Sequence, residues 1–374
     1  MSIWDDWLRR ELDGIRHANR WRSTVAFDGD GPRGQVGERE VVSFASNDYL
    51  GLASHACVRR AAREALERWG AGASASRLVT GTRTLHLELE RAIADWKRTE
   101  AALVFPTGYA ANLGVLQVLG DADVTIFSDE LNHASIIDGC RLAKARKSIF
   151  RHNDVEHLRE LMHTASGRKI VVTEAVFSMD GDAAPLEALL ALCIEEDALL
   201  VVDEAHAVLS AMPTSDYPGY VRIGTLSKTL GALGGWAAAS RAIIDLLVNR
   251  ARTFIFTTAL TPPDAAAARA ALAVYLSAEG DRLRAILREH VETIRPGHGS
   301  PIVPVVMGSE AAAIGAAARL FERGFYVPAI RPPTVPVGTS RLRVALSAAH
   351  TPAMIEGLRD ALRELHSQPR DEKR

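Results

Sequence analysis

The segment GTLSKTLGALGG, Gly224 to Gly235, sets one lysine, Lys228, between small hydroxyl residues and follows it with glycine and alanine. No carboxylate stands close by in sequence to neutralise its ammonium. A lysine so placed suits covalent chemistry: its amine condenses with an aldehyde, and small neighbours leave room for a flat cofactor. Upstream, LLVVDEAH ends an apolar run on Asp203 and His206. Burying that carboxylate is costly unless a cation meets it, so something positive is expected beside Asp203, a capping aspartate being the other reading.

Two further turns carry suitable groups. PTGYAANLG (106–114) follows an apolar run and opens a helical one. Thr107 can cap that helix, and Gly108 leaves its first amides to hold a phosphate at the positive end of the helix dipole. SDELNHASIIDG places His133 after another apolar run. A lysine Schiff base with pyridoxal phosphate, an aspartate on the pyridinium nitrogen and a glycine-opened helix with hydroxyls for the phosphate would use all of these groups. Two rival chemistries fail on spacing. DEAH could hold magnesium in a nucleotide hydrolase, but the needed GxxxxGK[ST] would put glycines where Arg222 and Ser227 stand. GASAS is not the GxSxG of a serine hydrolase.

These groups need a scaffold that gathers them at strand ends. The runs AALVFP, DVTIFSD, KIVVTEAVF, ALLVVDEAH and VRIGTLS read as strands; LHLELERAIADWK and PLEALLALCIEE have helical spacing between them. The alternation predicts an α/β domain with a mostly parallel sheet over residues 45–265, an N-terminal helical arm over 1–44 and a smaller α+β domain over 266–374. A chain of 374 residues suits one large and one smaller domain. With 47% hydrophobic residues and a formal charge of -2, nothing attracts nucleic acid or an anionic membrane. The amino terminus lacks the apolar core of a signal peptide and no long apolar run follows, so a cytoplasmic address is expected. Cys57, Cys140 and Cys193 are odd in number and widely spaced, which suggests reduced thiols and no zinc or other metal site. The polar tail HSQPRDEKR is expected to fray.

The chain resembles the α-oxoamine synthases, fold-type-I pyridoxal phosphate transferases with an aspartate aminotransferase-like fold that join an amino acid to an acyl thioester and release carbon dioxide. The likeness rests on SNDYLGL (46–52), GAGASASRLVTGTRTLHLELE (70–90), TGYAAN, NHASIIDG, HND (152–154), TEAVFSMDGD (173–182), VVDEAH, GTLSKTLG and FIFTTAL (254–260). SMDGDAAPL and AIRPPTVPVGTSRLRVALSAAHT (329–351) most resemble members that condense L-alanine with a pimeloyl thioester, of CoA or a carrier protein, in biotin biosynthesis. Sister enzymes using glycine with acetyl-CoA or succinyl-CoA, or serine with a long acyl chain, are the alternative.

The resemblance implies that Lys228 holds the cofactor covalently and acts as base, Asp203 pairs with the ring nitrogen, and His133 stacks on the ring. It places Ser178 and His206 near the phenolic oxygen. The phosphate would take the amides of Gly108 and Tyr109, the Thr225 hydroxyl, and Thr257 or Thr258 from the partner subunit of a homodimer with a shared active site. Arg343, with Asn47, would hold the amino acid carboxylate, and Arg341 is expected on the opposite face of its strand. Arg22 would anchor a distal acyl carboxylate. One departure stands out: the connection AVLSAMPTSDYPGYVRIGTLSK is shorter and poorer in glycine than the family pattern.

Overall fold

The apolar runs become a single seven-stranded sheet in a computed structural model that describes residues 2–367. Its strands are β1 (Ala101–Phe105), β2 (Val124–Asp129), β3 (Arg146–Phe150), β4 (Arg168–Glu174), β5 (Leu199–Asp203), β6 (Tyr220–Thr225) and β7 (Gly235–Ala239). They lie in the spatial order β1-β7-β6-β5-β4-β2-β3. Neighbours from β6 to β3 are parallel, whereas β7 is antiparallel to both β6 and β1.

Both faces of the sheet are covered over its inner strands, which is why those read as unbroken apolar runs, whereas the edge strand β3 (RKSIF) is largely exposed. Val172, Val201, Val221 and Ile223 enter one core with Ala111, Val115 and Ile136 from the helices Gly108–Leu119 and Ala134–Leu142. The alternate residues Val171, Leu200, Val202 and Tyr220 enter a second core with Leu158, Leu189 and Leu192. Covering a valine such as Val201 completely, at 0% exposure, stabilises the fold by about 1.5–3 kcal/mol.

The chain forms two compact units whose boundaries differ from those expected. The larger comprises residues 50–178 and 182–285, the smaller 1–49, 179–181 and 286–374. Residues 266–285, expected in the small domain, belong to the large unit because the alanine-rich helix Pro262–Tyr275 packs on the helix Ala56–Trp69. The amino-terminal arm is helical only over Ile3–His17 and belongs to the small unit. Beyond it, Asp28–Asp30, Arg33–Val36 and Arg39–Ser43 form a meander, and Phe325–Tyr326 adds a parallel edge to Arg39–Ser43. A second sheet of the small unit sets Ser340–Ala345 between Ile302–Gly308 and Ala329–Ile330. No described helix is long and apolar enough to cross a membrane. Of the tail expected to fray, residues 368–374 lie outside the described part of the chain.

Candidate active site

Within the large unit, the predicted groups sit at or just after the carboxyl ends of β1, β2, β4, β5 and β6, where open α/β sheets place ligands. After β1, Thr107 caps the helix Gly108–Leu119 by accepting the Ala110 amide at 3.0 Å, worth about 1 kcal/mol. The amides of Gly108 and Tyr109 have no acceptor among the described residues and are available to an anion. A Cβ on Gly108 would lie 3.1 Å from the Thr225 Cβ, so this helix end and the end of β6 meet closely. Gly235 is required for the same approach, since a Cβ there would stand 2.4 Å from the Thr107 carbonyl oxygen. Thr225 donates to the Gly234 carbonyl at 2.9 Å and lies 2.7 Å from the Ser227 hydroxyl. Ser227 thus joins the cluster although nothing in the motif reading singled it out.

Asp203 ends β5 on the face covered by the helix Gly108–Leu119. It is 7% exposed, and its two oxygens accept from Asn112 Nδ2 at 2.7 Å and from the Ala205 amide at 2.9 Å. Among the described residues no basic side chain hydrogen-bonds to it, so the cation expected beside it is not supplied by a protein bond. Asn112, one helical turn beyond Gly108, also donates to Ser135 Oγ at 2.9 Å, and that oxygen lies 2.7 Å from His133 Nδ1. The Ser135 amide donates to Nδ1 at 3.2 Å, so Nδ1 acts as an acceptor, which places the proton of a neutral His133 ring on Nε2. Burial and the Lys228 ammonium hold its pKa below the ordinary value against the pull of Asp203. Asn112 and Ser135 were missed in the sequence; the helical spacing within TGYAAN was the available signal for Asn112.

Lys228 Nζ lies 2.9 Å from His206 Nε2, and His206 is 3% exposed. The loop that carries Lys228 needs Gly231: its φ is +61°, and a Cβ there would come within 2.3 Å of the Ala53 nitrogen. Ser178 is buried just beyond β4, Thr257 is half-buried and Thr258 exposed.

In the small unit, Arg343 donates to Asn47 Oδ1 at 3.1 Å, and Tyr49 donates to the same oxygen at 3.0 Å. Burial pushes the Tyr49 phenol up to about 12 even with Arg343 beside it. The expectation that Arg341 points away from Arg343 is corrected. Side chains alternate along Ser340–Ala345, so residues two apart leave on the same face. Their partners differ instead, Arg341 forming a short ion pair with Asp180. Arg22 is exposed and donates to Thr334 at 3.2 Å. Arg331 secures the same stretch by donating to the carbonyls of Asn19 and Trp21.

On the other face of the large sheet, Glu204 is 7% exposed and receives Lys97 Nζ at 2.6 Å and a short bond from Arg222 Nε. Burial alone would raise its carboxyl, but Lys97 and Arg222 outweigh that and hold it low. Burial brings Lys97 down to about 8 in spite of Glu204. The three residues line a cavity of about 510 Å³ beneath the shortened connection, whose residues 207–219 have no helix or strand. No group of three or more metal-ligating side chains occurs among the described residues.

The large-unit residues fit the expected cofactor. Asp203 is nearly buried and bonded only by amides, as a partner for a ring N–H⁺ should be. Lys228 stands among small residues, and unclaimed helix amides adjoin a threonine hydroxyl.

Residues 39–362 match the family Aminotransferase class I and II. A relative from Anaeromyxobacter dehalogenans, an 8-amino-7-oxononanoate synthase, is 49% identical over 96% of this chain and 94% of its own. Another of that name from Geobacter sulfurreducens is 46% identical over 92% of this chain and 94% of its own. Among solved structures, a serine palmitoyltransferase from S. paucimobilis with a bound PLP–myriocin aldimine gives a TM-score of 0.88 at 28% identity, covering 98% of this chain and 100% of that one. An 8-amino-7-oxononanoate synthase from Francisella tularensis gives 0.70 at 25%, covering 87% and 96%. A match running through both compact units, together with relatives near half identity over almost the whole length, makes this chain a member of the class I and II aminotransferase family.

Proposed function

We propose that this chain catalyses 8-amino-7-oxononanoate synthesis in the cytoplasm, the decarboxylative condensation of L-alanine with a pimeloyl thioester of CoA or a carrier protein in biotin biosynthesis. Pyridoxal phosphate, when bound, supplies an electron sink for the carbanion formed at the amino acid Cα. The observation that carries the reading is Asp203, a nearly buried carboxylate held by Asn112 and the Ala205 amide and left for a protonated ring nitrogen.

Lys228 would hold the aldehyde of the cofactor, and its Nζ would take the proton from the amino acid Cα. His206, 2.9 Å from that nitrogen, orients it. His133 offers its neutral ring as a stacking surface, fixed by Ser135. The Gly108 and Tyr109 amides with Thr225 take the phosphate, Ser178 bonds near the phenolic oxygen, and Thr257 or Thr258 of the partner subunit of a homodimer completes the cradle. We assign the amino acid carboxylate to Arg343 and Asn47, arginine's planar fork suiting a bidentate pair. Arg22 takes the distal carboxylate of the acyl chain; its bond to Thr334 ties it to the segment 329–351 that carries the likeness to pimeloyl-using enzymes.

A second reading, a sister synthase, draws on the higher TM-score to serine palmitoyltransferase. Sequence identity of 49% against 28% weighs the other way. The deciding experiment is thiol release by purified, cofactor-loaded protein. Preference for L-alanine with pimeloyl-CoA is expected; preference for glycine with acetyl-CoA or succinyl-CoA, or for serine with a long acyl-CoA, moves the function to a sister enzyme.

A further inference from the structure

Glu174 is the last residue of β4 and stands in register with Asp203 of β5. In parallel neighbours a register pair projects to one face, so two carboxyl groups lie side by side. Glu174 is 2% exposed, and its Oε1 has no hydrogen-bond partner among the described residues. The His133 backbone lies close to the carboxyl and favours its charged form. The charged and titratable groups facing it are Asp203 on β5, Lys228 after β6, Asp129 at the end of β2 and His133 after it. Among the described residues no basic side chain forms an ion pair with it. A charged Glu174 would be a buried anion beside a second one, without a salt bridge.

We propose that Glu174 is a positioning residue: an uncharged carboxylic acid that packs beside Asp203 and leaves Asp203 as the negative charge behind the cofactor ring. Burial and the Asp203 charge both push its pKa well above the carboxylate range, and the pull of Lys228 and the His133 backbone does not reverse them. The proposal rests on the cofactor reading above for its role, but not for its protonation.

The test compares wild type, Glu174→Gln and Glu174→Ala. Pyridoxal phosphate affinity and the pH midpoint of the visible absorbance are measured on loaded protein, and melting temperature on cofactor-free protein from about pH 5 to about pH 9. The glutamine keeps the shape and is neutral, so its affinity should stay within about twofold and its midpoint unchanged, while alanine, which opens a hole beside Asp203, loses about tenfold. Glutamine weakening the cofactor as much as alanine, or moving the midpoint, overturns the proposal. Should the alanine variant not fold, the glutamine variant decides alone.

The cofactor-free arm follows from linkage. A carboxyl whose folded pKa is raised binds its proton in the native state while the unfolded chain has released it, so its contribution to stability falls with rising pH above the unfolded value. Glu174→Gln removes that dependence, and its melting temperature should gain on wild type as pH rises. A gap constant with pH shows an ionised glutamate and sinks the idea. Wild type that binds no pyridoxal phosphate would defeat the functional reading while this arm still decides the state of Glu174.

Discussion

Asp203 and Glu204 are consecutive, equally buried at 7% exposure, and opposite in their company. Glu204 faces Lys97 and Arg222, and the protein satisfies it completely. Asp203 takes its hydrogen bonds from amides only, among the described residues. Alternation at the end of β5 sends the two to different faces of the sheet, so a shift of one residue would exchange a structural carboxylate for a functional one. A buried carboxylate with protein cations holds the fold together; one held in place by neutral donors awaits a cation from outside.

The comparison can be broken at several points. The largest effect is expected for Asp203→Asn, which should keep part of the cofactor and lose turnover by orders of magnitude, measured as thiol release; near-normal turnover would show that Asp203 is no more functional than Glu204. Glu204→Ala should leave Lys97 and Arg222 buried without their anion and cost about 3–5 kcal/mol in denaturant unfolding, with cofactor affinity retained per folded molecule. Arg343→Ala should raise the amino acid KM far more than the thioester KM, while Arg341→Ala, losing its pair with Asp180, should mainly lower the melting temperature; the reverse assignment would show that the carboxylate site is misplaced.

The smallest effect concerns His152, set between Asp129 at 3.0 Å and Asp182 at 2.7 Å. Burial opposes its charge, yet the two aspartates raise its pKa from 6.5 to about 10. The stability this pairing adds is complete below the unfolded value and fades as pH climbs toward the folded one. Melting curves of wild type and His152→Gln should therefore converge between pH 6.5 and about 10; parallel curves would show that His152 is not held charged.

Much of the architecture was legible because strands covered on both faces leave unmistakable apolar runs, and because residues at their ends are polar where polarity is costly. The antiparallel β7 escaped because GWAAA carries neither alternation nor β-branched residues. The unit boundary escaped because the alanines of Pro262–Tyr275 mark a change in composition but pack on an earlier helix. Ser135 and Glu174 were out of reach for another reason. Their significance lies in what they touch across the sheet, and a buried polar side chain in an apolar run looks the same in sequence whether it is bonded or not. The faces of Arg341 and Arg343 were legible and were misjudged.

The stretch holding Arg22 has no ladder of its own. It is tied down by guanidinium bonds from Arg331 to two carbonyls and by the contact of Arg22 with Thr334. Lys228, Asp203 and His133 instead follow strands whose register a whole sheet enforces. Descendants of such a chain can therefore acquire a new acyl chain through a few loop substitutions. Acquiring a new reaction would require moving strand ends. The scaffold makes specificity the variable inheritance and leaves the chemistry fixed.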